Sequence, residues 1–347
     1  MLFFRKIYKY NALNPKMKYL QQKQNSEVVK LDVKDKKILS ILASDVRTPL
    51  TKLSKKVALS RDAVNYRIKQ YEKKGLIQGY MTIVKLSKFG YVNYHLFIRL
   101  NAPSKENENM IIEKLKKYPF VRAIINFGGN FDLEIALIAK DILDLDEKVT
   151  EIISNCQGAI MDYEILSIVK TYSSNVFPRS FGEIINEKEK EIDYNADKKD
   201  IDILKIIGEN ATESLSEIAG KLKISADAVA YRIKNMKKSG IISKFIPSIN
   251  YAALGYSLYT ILLNISSLDA EKEKKLKDFL HNDKNILWAV KTIGRYNLIA
   301  YVLVKNVQEL QETSTRLKSL FPGQINHYEM LVAYEEHKYV YFPKELF

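Results

Sequence analysis

The sequence predicts an α+β protein in which two winged, three-helix domains alternate with two ferredoxin-like βαββαβ domains. The 347-residue chain aligns with itself without a gap, so that Gly90 matches Gly255 and Gly129 matches Gly294. The strongest internal match joins residues 60–80 to residues 225–245, where 11 of 21 positions are identical. Within each copy, apolar residues recur first with a helical period and then with a period of two. The two copies are offset by 165 residues (255 − 90). A repeat of this length indicates a duplicated domain pair, because solenoid repeats run at about 20–50 residues.

The change of period within each copy and the charged stretch between the copies predict where the domains begin and end. The two helix-turn-helix domains are expected at residues 31–88 and 196–253, and the two βαββαβ domains at 89–172 and 254–347. Residues 1–30 are expected to form a basic, poorly ordered tail, and residues 173–195 a charged linker.

Three helices are predicted between Leu31 and Gly75. The first carries Ile38, Leu39, Ile41 and Leu42, and the second carries Leu50, Leu53 and Val57. A four-residue break, 58–61, is the short connection typical of a helix-turn-helix. The third helix has Ser60 as its N-cap, one apolar stripe (Val64, Ile68 and Tyr71) and Gly75 at its C-terminal end. Apolar and polar residues then alternate over 76–86, which predicts a small hairpin, the wing.

From Val92 the period becomes two, which predicts a strand. An amphipathic helix over 104–117, a hairpin around the turn at 128–130, a helix over 141–153 and a last strand over 160–170 follow. This βαββαβ order is the ferredoxin-like arrangement, a common scaffold that does not by itself imply a function.

Composition excludes several classes of protein. One cysteine, Cys156, rules out an intramolecular disulfide and suits a reducing cytoplasm. No apolar run approaches the length of a membrane span. The four histidines show no metal-ligand spacing, and no phosphate-binding loop or nucleophile motif occurs. We therefore expect no metal, no cofactor and no enzymatic activity.

The net charge of +14 is concentrated in three segments. Residues 1–31 contain seven basic and one acidic residue, residues 32–80 twelve and five, and residues 197–245 ten and seven. The rest of the chain is slightly acidic. This segregation favours a polyanionic partner, because charge that serves only solubility would be spread over the chain.

Helices 61–74 and 226–239 are predicted to enter the major groove of double-stranded DNA. In the first, Arg61 and Asn65 are the candidates for base edges, since arginine suits guanine and asparagine suits adenine. The candidates for backbone phosphates are Arg47, Lys52, Tyr66, Arg67 and Lys69. For Arg67 the alternative is a salt bridge to Glu72 or to the first helix.

The second copy keeps the phosphate candidates Tyr231, Arg232 and Lys234, but Ala226 and Ala230 replace Arg61 and Asn65. The first copy is therefore expected to dominate sequence specificity. The second is expected to add mainly salt-sensitive affinity.

The segments LDVKDKKILSIL, LSRDAVNYRIKQYEKKGLIQGY and FGGNFDLEIAL resemble the leucine-responsive regulator/AsnC (Lrp/AsnC) family. The resemblance covers residues 31–170 and again 196–335. It implies a transcription regulator whose βαββαβ (RAM) domains pair through their sheets and often bind an amino acid. Since typical members have one unit, this chain resembles an internal pseudo-dimer that could pair again into a homodimer or higher oligomer.

The resemblance places the effector-responsive loops at the central hairpin turns. These are Gly128, Gly129, Asn130 and Asp132 in the first copy, and Gly294, Arg295 and Asn297 in the second. The alternative is that they are simple hairpin turns. A ligand would be bound unequally, because Asn297 replaces the carboxylate of Asp132.

Two other functions are alternatives to a sequence-specific regulator. Sirohaem decarboxylases resemble the same domain pair, but they need ionisable groups, typically histidine, near the central hairpin. The hairpins VRAIINFGGNFDLEIAL and NILWAVKTIGRYNLIAY contain no histidine. The other alternative is a weakly specific DNA-coating protein.

Overall fold

The computed structural model describes residues 28–101, 104–156, 158–182 and 192–347. The predicted basic tail lies outside the described residues except for 28–30, and so does the middle of the predicted linker, 183–191.

Each copy begins with three helices and one strand, which we call a head. Head 1 consists of α1 (Val33–Ser44), α2 (Leu50–Val57), α3 (Arg61–Lys73) and β1 (Ile77–Val84). Head 2 consists of α6 (Lys198–Glu209), α7 (Leu215–Leu222), α8 (Ala226–Lys238) and β6 (Ile242–Ile249).

Local chemistry explains these helix boundaries. Asp32 and Asp35 form a capping box at the start of α1, and Ala58 ends α2 in the left-handed conformation with φ of 52°. Ser60 then caps α3 by accepting a hydrogen bond from the N–H of Ala63 at 3.1 Å. The short left-handed turn leads directly into the capped helix, which confirms the predicted helix-turn-helix connection.

The prediction that residues 76–86 form a hairpin was wrong. Strand β1 pairs antiparallel with β6 of the other copy, and these two strands form a separate sheet. Ile77 lies opposite Ile249, and Val84 lies opposite Ile242. The pattern of an eight-residue strand does not reveal whether its partner is local, because cross-copy pairing satisfies the same backbone groups.

The βαββαβ order is confirmed in both copies. The first contains β2 (Val92–Leu100), α4 (Lys105–Leu115), β3 (Val121–Gly128), β4 (Leu133–Ala139), α5 (Ile142–Asn155) and β5 (Ile160–Ser174). The second contains β7 (Ser257–Ile265), α9 (Ala270–Asn282), β8 (Ile286–Ile293), β9 (Leu298–Val304), α10 (Val307–Ser319) and β10 (Ile325–Tyr339).

The two four-stranded sheets join into one closed barrel in the order β10-β3-β4-β2-β5-β8-β9-β7. The joints are β5 with β8 and β3 with β10, where Ser167 faces Ile293 and Val332 faces Gly128. The internal repeat matches β5 to β10 and β8 to β3, so the two joints are equivalent and a pseudo-twofold axis relates the two halves. Closure leaves no free edge in the barrel sheet, and the two copies form one structural unit.

Gly129 and Gly294 occupy equivalent turns at these joints, with φ of +138° and +142°. A Cβ on Gly294 would lie 2.6 Å from Leu166 Cδ2 and 2.7 Å from the carbonyl oxygen of Ile165. The glycine is therefore required by the close approach of the neighbouring half as well as by the turn.

Among the described residues, no helix is long and apolar enough to cross a membrane.

Candidate nucleic-acid interface

The third helix of head 1 has one buried side and one cationic side. Val64, Ile68 and Tyr71 are buried in the head, as the sequence predicts. Arg61 and Lys69 are exposed, and the Tyr66 side chain is 64% exposed. Asn65 is partly exposed, and Lys52 is exposed on α2. The outer side of α3 thus presents hydrogen-bond donors to solvent.

Helix α8 is built the same way but presents a different surface. Ser225 caps it, and Val229, Ile233 and Met236 are buried. Tyr231 is 67% exposed and Lys234 is exposed, whereas the positions that match Arg61 and Asn65 carry alanines. An exposed tyrosine and lysine are therefore common to both helices, and the long polar side chains Arg61 and Asn65 belong to head 1 alone.

Arg67 forms a salt bridge to the first helix. Its guanidinium lies 2.7 Å from Asp32 Oδ2 and 2.5 Å from Asp35 Oδ1. Arg232 repeats this in head 2, at 2.8 Å from Asp197 and 3.0 Å from Asp200. Hydrogen bonds to the carboxylates raise the pKa of both arginines. These salt bridges hold α3 and α8 against the first helix of their heads, and a contact with phosphate stays a prediction for both arginines.

A tyrosine completes each salt-bridge cluster. In head 1 the Tyr71 hydroxyl donates to Asp35 at 2.6 Å. Met236 stands at the matching position in head 2, and there Tyr194 donates to Asp200 at 2.8 Å. Burial, together with this hydrogen bond, raises the pKa of Tyr194 to about 12. The carboxylate of Asp200 is 1% exposed and needs these partners, because an unpaired buried charge is strongly unfavourable.

We expect Arg67→Ala to destabilise head 1 by about 1–3 kcal/mol at neutral pH, since it breaks a charged hydrogen-bond network. The backbone N–H of Asp35, and then Arg67, hold the pKa of Asp32 below its ordinary value of 3.8. A lowered folded-state pKa gives stability that is present above pH 3.8 and is lost as the pH falls below it. Urea unfolding should therefore separate the variant from the wild type at pH 7 and bring them together near pH 3. Arg61→Ala is the control, and a loss of stability equal to that of Arg67→Ala would contradict this assignment.

Arg47 joins the two heads through contacts within the protein, and its predicted contact with a DNA phosphate stays a prediction. Its guanidinium donates to the carbonyl oxygens of Ala211 at 2.8 Å and Glu213 at 3.0 Å, and it lies over the ring of Phe245. Burial lowers its pKa. Arg47 lies in the turn before α2, and nothing in the sequence around it indicates these contacts, because all three partners belong to the other copy.

Further contacts hold the heads in one arrangement. Lys237 on α8 forms an ion pair of 2.8 Å with Asp45, close in sequence to Arg47. The N–H of Val46 donates to the carbonyl of Phe245, and the N–H of Ala211 donates to that of Tyr80. Together with the β1–β6 sheet, these bonds fix α3 and α8 on either side of the pseudo-twofold axis.

Residues of the central hairpin turns form hydrogen bonds to the backbone of neighbouring strands. Asp132 Oδ2 accepts from the N–H of Leu100 at 2.7 Å. Asn297 does the same for Ile265, at 3.0 Å, and also donates to the carbonyl oxygen of Ile265. The aspartate-to-asparagine difference thus preserves one structural contact.

The other turn residues include two that reach across to the opposite half. Asn130 accepts hydrogen bonds from Arg99 and donates to Glu329 at 3.1 Å, while the N–H of Arg295 donates to Glu164 at 3.0 Å. The turns therefore contribute to the joints of the barrel.

A buried polar cluster that the sequence did not predict lies inside the barrel. His95 Nδ1 and the Tyr301 hydroxyl both contact Glu134 Oε1, and the His95 ring stacks on Trp288 at 5.7 Å. Burial, and then Glu134, raise the pKa of Tyr301 well above its ordinary value. His95 lies on β2, outside the central hairpin formed by β3 and β4. Both faces of strand β2 are buried, so residues on its polar side are buried as well. The alternation of apolar and polar residues along the strand therefore does not show that His95 is buried.

Among the described residues, no group of three or more histidine, cysteine and carboxylate side chains is arranged to hold a metal ion.

A family model described as "Winged helix-turn-helix DNA-binding" matches residues 31–78 and 197–243. The chain is 37% identical over 130 residues to the HTH-type transcriptional regulator LrpA of Pyrococcus horikoshii, covering 38% of this chain and 88% of that protein. It is 29% identical over 115 residues to the proline dehydrogenase transcriptional activator of Rhodobacter capsulatus, covering 33% and 75%.

Among solved structures, the sirohaem decarboxylase NirDL matches with a TM-score of 0.60 and 14% identity, covering 88% of this chain and 92% of that one. At that identity the likeness concerns the fold alone.

Two capped helices with exposed cationic sides, each in a winged helix-turn-helix head, define a DNA-binding protein. The similar proteins narrow this class to transcription regulators. The chain belongs to the Lrp/AsnC family of transcription regulators, with the family unit present twice in one polypeptide.

Proposed function

We propose that the two heads read DNA unequally. Head 1 recognises bases through Arg61 and Asn65 and holds the backbone through Lys52, Tyr66 and Lys69. Head 2 holds the backbone through Tyr231 and Lys234 and reads little sequence. The observation that carries this proposal is the matched exposure of the tyrosine and lysine on both helices, beside readers present on α3 alone.

The arrangement of the heads supports a composite operator. The pseudo-twofold axis suits two half-sites separated by about one helical turn or a multiple of it. Once head 1 is bound, the second head is held at a high effective concentration near the adjoining DNA. The operator would therefore be asymmetric, with one specified half-site and one tolerant half-site. Such a regulator would act in the cytoplasm, where bacterial and archaeal DNA is found.

Binding-site selection from random duplexes, followed by titration of the selected and a random duplex at several salt concentrations, tests this proposal. We expect one strongly specified half-site and affinity that falls steeply with salt. Lys69→Ala and Lys234→Ala should each reduce the salt slope by about one and weaken both duplexes alike. A ratio of specific to random affinity near one would instead support a DNA-coating protein.

A small-molecule effector is a further part of the proposal, and the turns at Gly128, Gly129, Asn130 and Asp132 and at Gly294, Arg295 and Asn297 are its candidate contacts. Their position at the joints between the halves supports this, since a ligand there would act on the pairing of the two sheets. An amino acid is the expected class of ligand.

Asp132→Asn is a sharper test of this loop than Asp132→Ala. The asparagine keeps an acceptor for the N–H of Leu100, as Asn297 does for Ile265, whereas alanine removes that acceptor. We expect thermal unfolding to show a loss of about 1–3 kcal/mol for Asp132→Ala and less than half of that for Asp132→Asn. If Asp132→Asn also leaves the response of DNA binding to each of the standard amino acids unchanged, the carboxylate has no part in effector binding.

Sirohaem decarboxylation is the second candidate. The fold match and the His95–Glu134–Tyr301 cluster favour it. The cluster is at most 6% exposed and is packed against Trp288, so a macrocycle would have to displace aromatic side chains to reach it. The enzyme also gives no role to the exposed cations of α3. Titration with sirohaem, followed by absorbance, distinguishes the two: a saturable spectral change that Glu134→Gln abolishes would favour the enzyme.

A further inference from the structure

We infer that the interface between the two halves is specific for unlike pairing. The first half, residues 28–182, is complementary to the second half, residues 192–347, and neither is complementary to a second copy of itself. The pseudo-twofold axis makes the comparison direct. Every position at the interface has a counterpart in the internal repeat, and at two independent places the counterparts have different chemistry.

The first place is the buried cluster in the barrel. Glu134 and His95 come from the first half, and they meet Tyr301 and Trp288 from the second. Trp288 and Tyr301 also pack on each other, with ring centroids 5.1 Å apart. The Glu134 side chain is 2% exposed, so its carboxylate depends on partners, one of them supplied by the other half.

On the other side of the axis the same four positions carry small or apolar side chains. These are Thr260, Ile299, Ala136 and Ala123, the counterparts of His95, Glu134, Tyr301 and Trp288 respectively. In a pair of two first halves, Glu134 would face Ala136 and lose its hydroxyl donor on both sides of the axis. In a pair of two second halves, Tyr301 would face Ile299 and its buried hydroxyl would lack this acceptor. The unlike pair contains this hydrogen bond once, whereas each like pair would leave two buried polar groups without it.

The second place is the contact between the heads. Asp45 in head 1 pairs with Lys237 in head 2 at 2.8 Å. The counterparts of these residues are Asn210 and Glu72. In a pair of two first halves, Asp45 would face Glu72, which places like charges together on both sides. In a pair of two second halves, Lys237 would face Asn210 and the ion pair would be lost. The charges at the heads thus select the same pairing as the cluster in the barrel.

The consequence is that the two heads presented to a ligand are always one of each kind. If halves exchange between chains, the exchanged assembly still contains only unlike pairs. The partner that this interface accepts is the opposite half of this chain, or of a second copy of it. This inference does not depend on what the heads bind.

The test uses the full chain with a protease site introduced between residues 183 and 191. The folded protein is cut, unfolded in urea, refolded by dilution and analysed by native mass spectrometry. Random association of two species would place half of all pairs in like combinations. We expect like pairs to make up less than about a tenth of the total. Like pairs near one half would overturn the inference.

Two variants test the two places separately. Asp45→Lys sets two lysines against each other in the unlike pair and allows an ion pair with Glu72 in a pair of first halves, so like pairs of first halves should increase several-fold. Glu134→Ile introduces the residue that the second half carries at this position and should raise the same species. Glu271→Lys, in an exposed ion pair with Lys275 on α9, is the matched control and should change nothing.

A second measurement in the intact chain applies if the cut halves do not refold. The stabilities of Asp45→Asn, Lys237→Gln and the double variant form a cycle, and Glu134→Gln, Tyr301→Phe and their double variant form another. We expect each double variant to be clearly less destabilised than the sum of its singles. Additive effects in both cycles would show that these contacts do not select the partner.

Discussion

Replacing Arg61 and Asn65 with alanine together is expected to remove most of the sequence preference of DNA binding and to leave affinity for random duplex nearly unchanged. A good bidentate contact to a base edge discriminates by about 1–3 kcal/mol, so the two together should reduce the specific-to-random ratio by at least about thirtyfold. The change should not affect folding, because Arg61 is exposed and Asn65 is partly exposed at the outer side of α3. Titration of selected and random duplexes at one fixed salt concentration measures it.

The second head provides the matched gain-of-function variant. Ala226→Arg with Ala230→Asn places the same readers on α8, whose cap and buried stripe match those of α3. We expect site selection with this variant to return a more palindromic operator than with the wild type. An unchanged operator, or an equal loss of preference from Lys234→Ala and Arg61→Ala, would refute the unequal division of labour. Arg232→Ala is unsuitable here, since its salt bridge to Asp197 and Asp200 supports the head itself.

Gly294→Ala is expected to destabilise the barrel strongly, by about 2–6 kcal/mol. Its Cβ would lie 2.7 Å from a backbone oxygen, that of Ile165, and 2.6 Å from Leu166 Cδ2. Overpacking costs about 1–3 kcal/mol, and a non-glycine residue at this φ adds about 1–3 kcal/mol of strain. Since the turn lies at the joint between β5 and β8, the added methyl group should weaken the pairing of these strands, which closes the barrel. Urea unfolding followed by circular dichroism measures the loss.

The same substitution at two other glycines, Gly129 and Gly90, is expected to cost less stability. At Gly129 the nearest atom to a Cβ is the end of the Leu331 side chain, at 2.9 Å, and that atom can move. At Gly90, with φ of +79°, nothing lies within 4 Å. The expected order of destabilisation is therefore Gly294→Ala, then Gly129→Ala, then Gly90→Ala at about 1–2 kcal/mol. Equal losses at all three positions would mean that backbone strain alone, and not the opposite half, sets the requirement for glycine.

The local sequence pattern was sufficient to predict much of the fold and to predict which side of α3 faces solvent. The stripe of Val64, Ile68 and Tyr71 is buried as its spacing predicts, and the βαββαβ order follows from the change of period. It did not reveal the partners of Arg47, whose guanidinium donates to carbonyl oxygens of head 2. It also failed for the wing, whose partner strand lies in the other copy.

The sequence by itself determined that this protein contains the family unit twice, with cationic helices in both copies and the long polar side chains Arg61 and Asn65 in the first alone. Periodicity, caps and turns act between residues close in the chain, so they can be read from it directly. Only the tertiary structure decided which arginines are engaged inside the protein, where His95 meets Glu134 and Tyr301, and that the two sheets close into one barrel. Those features depend on partners that are distant in the chain and often belong to opposite copies, and a hydrogen bond or a salt bridge forms only where the fold brings the two groups together.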